Sequence, residues 1–219
     1  MEAVEGFRPN DDGQSSLLKF DLRTHKLLRR YQLDDGKKHA MGDMTIASNG
    51  DAFVSDGLSG GVFIIRQPNS DLEPLAAEGV FLSPQTPALS ADEKFLYVPD
   101  YSEGIAIIRL ADRHVEWVKK LASRPHSKES TGYTVSRTGS SPCKMAPSLS
   151  VLSASICDRP NEIDRFDVLE ANWTGLGDPT HGVVVGDEFY FIANSGWDRV
   201  GENGAFKPGA AAEIWKVRL

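Results

Sequence analysis

The sequence predicts an all-β fold, specifically a β-propeller, and three observations carry the prediction. A block reading Thr45-Ile-Ala-Ser-Asn-Gly-Asp-Ala-Phe-Val-Ser-Asp56 and then Gly61-Val-Phe-Ile-Ile-Arg66 occurs twice. It returns as Ala88-Leu-Ser-Ala-Asp-Glu-Lys-Phe-Leu-Tyr-Val-Pro-Asp100 and Gly104-Ile-Ala-Ile-Ile-Arg-Leu110. Ser48 to Ser90 is 42 positions, Ile65 to Ile108 is 43 and Asp56 to Asp100 is 44. Short alternating strands repeated at that period, with Gly, Asn and Asp in the turns, define a propeller blade. No long amphipathic helical pattern interrupts them. At about 40–45 residues per blade, the 219 residues suit a six-bladed type that is incomplete, with about five blades or fewer, in a single domain over 1–219.

The elements follow in order. Leu17-Leu-Lys-Phe-Asp-Leu22 and Lys26-Leu-Leu-Arg-Arg-Tyr-Gln-Leu33 read as two strands around the turn Arg23-Thr24-His25. The next unit runs from Met41 to about Leu75, with its first hairpin turn at Ser48-Asn-Gly-Asp51, because Asn-Gly favours the positive φ such turns need. A third unit runs from Ser83 to about Leu121, with Ala91-Asp-Glu-Lys94 in the matching turn. Thr180 to Ala193 repeats the strand–turn–strand pattern around Gly186-Asp187, and Ala212 to Leu219 alternates as a closing strand.

One stretch, 122–160, breaks the pattern. It is rich in Ser, Arg and Pro and holds both cysteines, Cys143 and Cys157. A long unstructured loop is unusual inside a compact domain, so two readings stand: a disordered insertion, or a pair of compensating frameshifts. Read out of register, the degenerate codons of Lys128–Thr134 permit Gly-Ile-Asp-Gly-Leu-Tyr. Those of Gly139–Ala146 permit Leu-Ile-Ala-Val-Gln-Asn-Gly, and both products are propeller-like.

Composition narrows the function classes. With 40% hydrophobic residues the chain can bury a real core. A formal charge of −7 excludes the basic face that nucleic acid requires. No apolar run approaches the roughly 20 residues that span a bilayer, so no membrane partner is expected. The acidic start, Met1-Glu-Ala-Val-Glu-Gly-Phe7, lacks the features of a signal peptide. The expected compartment is the cytoplasm, or the periplasm or exterior should a leader precede Met1. Oligomeric state is left open.

With the repeats in hand, the chain resembles the SMP-30/gluconolactonase-like (LRE-like) family of six-bladed propellers. The matching stretches are Gly42 to Asp56, Ser83 to Tyr101, Asp178-Pro-Thr-His-Gly182 and Tyr190-Phe-Ile-Ala-Asn-Ser195. The resemblance implies one divalent cation, calcium or zinc, at the central channel, held by a Glu, Asn side chains and an Asp that doubles as base in opening sugar lactones. A hard cation suits such oxygen donors and can polarise a carbonyl or activate water. The carried-over metal candidates are Asp43, Gln85 and Asn194. The family's Asn before the Asp is Gly42 here, and its Pro-Asn-Gly is Pro84-Gln85-Thr86. Its third-position Asp falls in the anomalous stretch, and its early Glu has no clear counterpart, since Glu2 and Glu5 lie at the very start.

His181 close behind Asp178 forms the candidate catalytic pair, as a His beside a carboxylate can carry protons. Asp56 and Asp100 end equivalent strands and read as turn caps. His25, His39, His114 and His126 are scattered along the chain and predict no metal cluster. Neither cysteine has further ligands at zinc spacing. Trp197-Asp198 occurs once, without a Gly-His partner. Two functions are therefore expected: a metal-dependent lactonase-type hydrolase of a small molecule, or a non-catalytic scaffold or ligand-binding propeller. A ring that fails to close would instead expose edge strands and aggregate.

Overall fold

The computed structural model describes residues 11–68, 70–118, 134–138, 141–145, 151–156, 165–171, 175–176, 179–196, 199–201, 205 and 207–218. Among them are five antiparallel sheets and no α-helix. The first sheet is a hairpin, β1 (Leu17–Phe20) and β2 (Leu27–Tyr31). The second has four strands in chain order: β3 (Met41–Ile46), β4 (Ala52–Asp56), β5 (Gly61–Ile65) and β6 (Leu72–Ala76). The third repeats it with β7 (Ala88–Leu89), β8 (Phe95–Asp100), β9 (Gly104–Arg109) and β10 (His114–Trp117).

The fourth sheet runs through the stretch where the sequence pattern lapses. Its strands are β11 (Thr134–Thr138), β12 (Ser141–Met145), β13 (Val151–Ile156) and β14 (Arg165–Ala171). Backbone pairing therefore continues where side-chain alternation does not announce it. The fifth sheet has β15 (Thr180–Val185), β16 (Glu188–Ile192) and β17 (Ile214–Arg218), which is the expected closing strand.

Turn chemistry explains the registers. Gly50 takes φ 88° in the β3–β4 turn, and Glu93 takes φ 54° at the matching place between β7 and β8. Glu93 is held there from the neighbouring sheet: the Ser48 N–H and hydroxyl both donate to its carboxylate, at 2.9 and 2.7 Å. His25 (φ 57°) and Arg113 (φ 61°) occupy equal places in the β1–β2 and β9–β10 connections. The hairpin β1–β2 thus matches the third and fourth strands of a complete sheet.

The sheets stack face to face. Phe53, Val62, Ile64 and Leu75 of the second sheet interleave with Leu96, Val98, Ala106 and Ile108 of the third, and all are buried. Tyr31 packs with Ala52 and Ile65, joining the first sheet to the second. With both faces covered, β4 and β5 are buried at every residue, which is why they read as apolar runs. The first strands gather about a common axis, β11 lying beside both β7 and β15.

Candidate functional site

Three of these first strands are irregular where they meet the axis. Met41 pairs with Asp56 and Met44 with Val54, so Gly42 and Asp43 together face Ser55 alone. On the approach to β7, Pro84 bridges Asp100 and Ala88 pairs with Tyr97; Gln85, Thr86 and Pro87 therefore face only Val98 and Pro99. In β15, Thr180 pairs with Ile192 and Gly182 with Phe191, leaving His181 as the extra residue. Bulges of this kind re-aim a side chain out of the pleat. His181 also has φ 24°, outside the ordinary strand region.

The bulged residues converge. His181 Nδ1 lies 3.3 Å from Thr86 Oγ1 and 3.7 Å from Asp43 Oδ1. Three side chains 43 and 95 positions apart (43 to 86, 86 to 181) thus meet from three sheets. The imidazole is 56% exposed and the Asp43 side chain 24%. The Nδ1 edge of the ring thus faces the Thr86 hydroxyl and the Asp43 carboxylate. Gly182 makes the bend possible, since a Cβ there would sit 2.3 Å from the Phe189 ring and 2.5 Å from the Tyr190 carbonyl oxygen.

Of the residues named from sequence, Asp43 and His181 are brought together, and Gln85 adjoins them through Thr86. The Gln85 side-chain amide donates to the Ser83 carbonyl and hydroxyl, both at 3.1 Å, which leaves Oε1 as its available donor to a cation. Its backbone carbonyl accepts from the Ser55 hydroxyl at 2.6 Å. Asn194 is half-buried just after β16, and no hydrogen bond among the described residues links it to Asp43, Gln85 or His181. Asp178, expected beside His181, lies outside the described residues, as do Trp197 and Asp198. Sequence reasoning does not single out Thr86; its position one residue beyond Gln85 in the repeated block is the available signal.

The turn-cap reading of Asp56 and Asp100 is realised in full. Asp100 is wholly buried, with Oδ2 accepting from Leu82 and Ser83 N–H and Oδ1 from Ser102 and Glu103 N–H. Asp56, equally buried, accepts at Oδ1 from the N–H groups of Ala40, Leu58 and Ser59. Its other oxygen takes His39 Nδ1 at 2.5 Å.

His39, one of the histidines scattered along the sequence, lies among carboxylates. It is buried, and its Nε2 lies 3.0 Å from Asp35 Oδ1. Asp35, His39 and Glu78 bring potential ligand atoms within 4.8 Å of one another. Burial pulls the His39 imidazole down, but its bonds to Asp35 and Asp56 outweigh that and hold its pKa above the usual value. For Asp56, burial raises the carboxyl, yet the Ala40 N–H, His39 and the Ser59 and Leu58 N–H groups bring it below the ordinary range. Nothing in the spacing of 35, 39, 56 and 78 reveals this grouping.

No protein-family model matches the sequence, and no curated protein sequence does. Solved structures do match in shape. Virginiamycin B lyase from Staphylococcus aureus superposes with a TM-score of 0.58 at 12% identity, over 93% of this chain and 63% of that one. A protein from Lactobacillus plantarum gives 0.59 at 11% identity, over 84% and 59%. The dihydro-heme d1 dehydrogenase NirN gives 0.53 at 13% identity, over 84% and 39%. The fold is a β-propeller. All three neighbours are propeller-like, and at these identities the likeness establishes the architecture alone. The chain spans between 39% and 63% of their lengths.

Proposed function

We propose that this propeller binds a small polar molecule where β3, β7 and β15 meet, and that His181 moves a proton there. The convergence of Asp43 and His181 from two bulged strands with Thr86 from the segment leading into β7 supports this reading. Bulges and unusual backbone angles cost stability and gather at functional sites. Opening of a sugar lactone or related small ester is the reaction that fits the resemblance to SMP-30/gluconolactonase-like propellers. His181 Nε2 would take a proton from water as the oxygen attacks the carbonyl carbon, and would return it to the leaving alkoxide. Asp43 and Thr86 would hold the ring's orientation.

A calcium or zinc ion at this place would rest on Asp43, Gln85 and Asn194 and would supply Lewis acidity toward the carbonyl. Asp43 and Gln85 offer suitable side-chain oxygens, while Gly42 offers no side-chain oxygen where the resembled family has Asn.

The test is lactone hydrolysis followed by base uptake at constant pH. We expect turnover by the native chain and a loss of about 100-fold or more in His181→Ala. No turnover by a cooperatively folded sample ends the hydrolase reading. The alternative, a non-catalytic ligand-binding propeller, draws on the 3.7 Å separation of His181 and Asp43, longer than a hydrogen bond. It expects a small ligand to raise the melting temperature with no chemistry.

A further inference from the structure

We propose a second, structural cation site for zinc at Asp35, His39 and Glu78, separate from the strand axis. Asp35 and His39 lie in the link between β2 and β3, and Glu78 in the turn after β6. The ion would staple the start of the second sheet to its end.

Three features point there. The first is the orientation of His39. Its side chain is only 3% exposed, and its Nδ1–H is committed to the fully buried Asp56 at 2.5 Å. That bond directs Nε2 outward, onto the two carboxylates. A carboxylate on one ring nitrogen and a metal on the other is how zinc-binding histidines are held, because the carboxylate sets the tautomer and raises the basicity of the ligating nitrogen. The second is the donor set. One imidazole nitrogen and two carboxylates within 4.8 Å are donor types that zinc takes.

The third feature is charge. Glu78 is paired with the Lys37 ammonium at 2.6 Å, and Asp35 with the Nε2 side of His39 at 3.0 Å. The Lys37 ammonium and the Nε2 edge of His39 thus hold the two carboxylates where a cation would. On zinc binding Lys37 would swing off Glu78 and leave that carboxylate to the ion. The carboxylates are held in place before metal arrives, which lowers the cost of ordering them.

The measurement is calorimetric titration of zinc chloride, with parallel thermal melts. It uses the full chain carrying Cys143→Ser and Cys157→Ser, which removes thiol binding. We expect a zinc-binding event that Asp43→Asn leaves intact, and a raised melting temperature. His39→Ala risks misfolding, so the deciding variants are at the more exposed carboxylates. Asp35→Asn and Glu78→Gln should each weaken zinc roughly tenfold or more while leaving the metal-free melt near that of the parent. Lys37→Ala should tighten zinc by removing the competing ammonium, which a purely structural ion pair would not produce. Absence of binding heat overturns the proposal, as does binding that both carboxylate variants leave unchanged. Zinc binding lost in Asp43→Asn but kept in Glu78→Gln would move the cation to the strand axis and also overturn it. None of these outcomes depends on lactone turnover.

Discussion

At the residue scale, buried carboxylates and the bulged histidine carry different burdens. Asp56 satisfies three backbone N–H groups and His39 from a fully buried position. Removing it strands those donors and leaves His39 without its main counter-charge. Asp56→Ala should therefore destabilise the fold by about 3 kcal/mol or more, read from urea unfolding. Asp43 sits in no such net, so Asp43→Asn should change the unfolding midpoint little while reducing any turnover. Gly182 is the structural partner of His181. A side chain there meets the Phe189 ring and the Tyr190 carbonyl oxygen, and Gly182→Ala should cost about 1–3 kcal/mol and displace the imidazole, visible as a shifted His181 NMR signal. Gly42 is the opposite case, since a Cβ added there would meet nothing within 4 Å. Gly42→Asn should fold normally and, if a cation binds at the axis, raise its affinity in calcium or zinc titration.

At the element scale, the matched turns decide how the sheets are held. Gly50 adopts its positive φ without strain, whereas Glu93 adopts the same region with a side chain and offsets the cost by accepting twice from Ser48. Glu93→Ala keeps the strain and loses both bonds, which should destabilise by about 1–2 kcal/mol in thermal or urea melts. Glu93→Gly loses the bonds but relieves a left-handed conformation worth about 1–2 kcal/mol, so it should fall close to the native chain. A Glu93→Gly variant as unstable as Glu93→Ala would show that the turn carries no strain. Much of the strand pattern is legible in the sequence: alternation and turn residues place the hairpin β1–β2, the units that hold β3 to β6 and β7 to β10, and the strands β15 to β17. The strands β11 to β13 are not, because Ser, Arg and Pro there lack the alternation that marks a half-buried face.

At the scale of the whole molecule, the sheets are bound through their faces rather than their edges. The interleaved core between the second and third sheets is the largest buried cluster among the described residues. The first sheet has two strands and the fifth three, so β1 and β17 each have one edge with no strand partner among the described residues. Leu18, Phe20, Leu27 and Leu28 on the first hairpin are about half exposed. Unpaired edges beside apolar side chains invite association. Phe20→Lys should lower self-association in sedimentation velocity without moving the unfolding midpoint; an unchanged profile would locate any association elsewhere.

The sequence by itself determined the all-β class, the blade-length repeat, the turns with positive φ and the capping role of Asp56 and Asp100. Each of these is local, written in alternation over a few residues or in a side chain bonding the next turn. It also named Asp43, Gln85 and His181 one by one. Only the tertiary structure set His181 beside both Asp43 and Thr86, and only it gathered Asp35, His39 and Glu78. Those meetings depend on where bulges turn individual side chains and on how successive sheets are rotated about the axis. Both are products of packing between segments far apart in the chain, and no local pattern of residues encodes them.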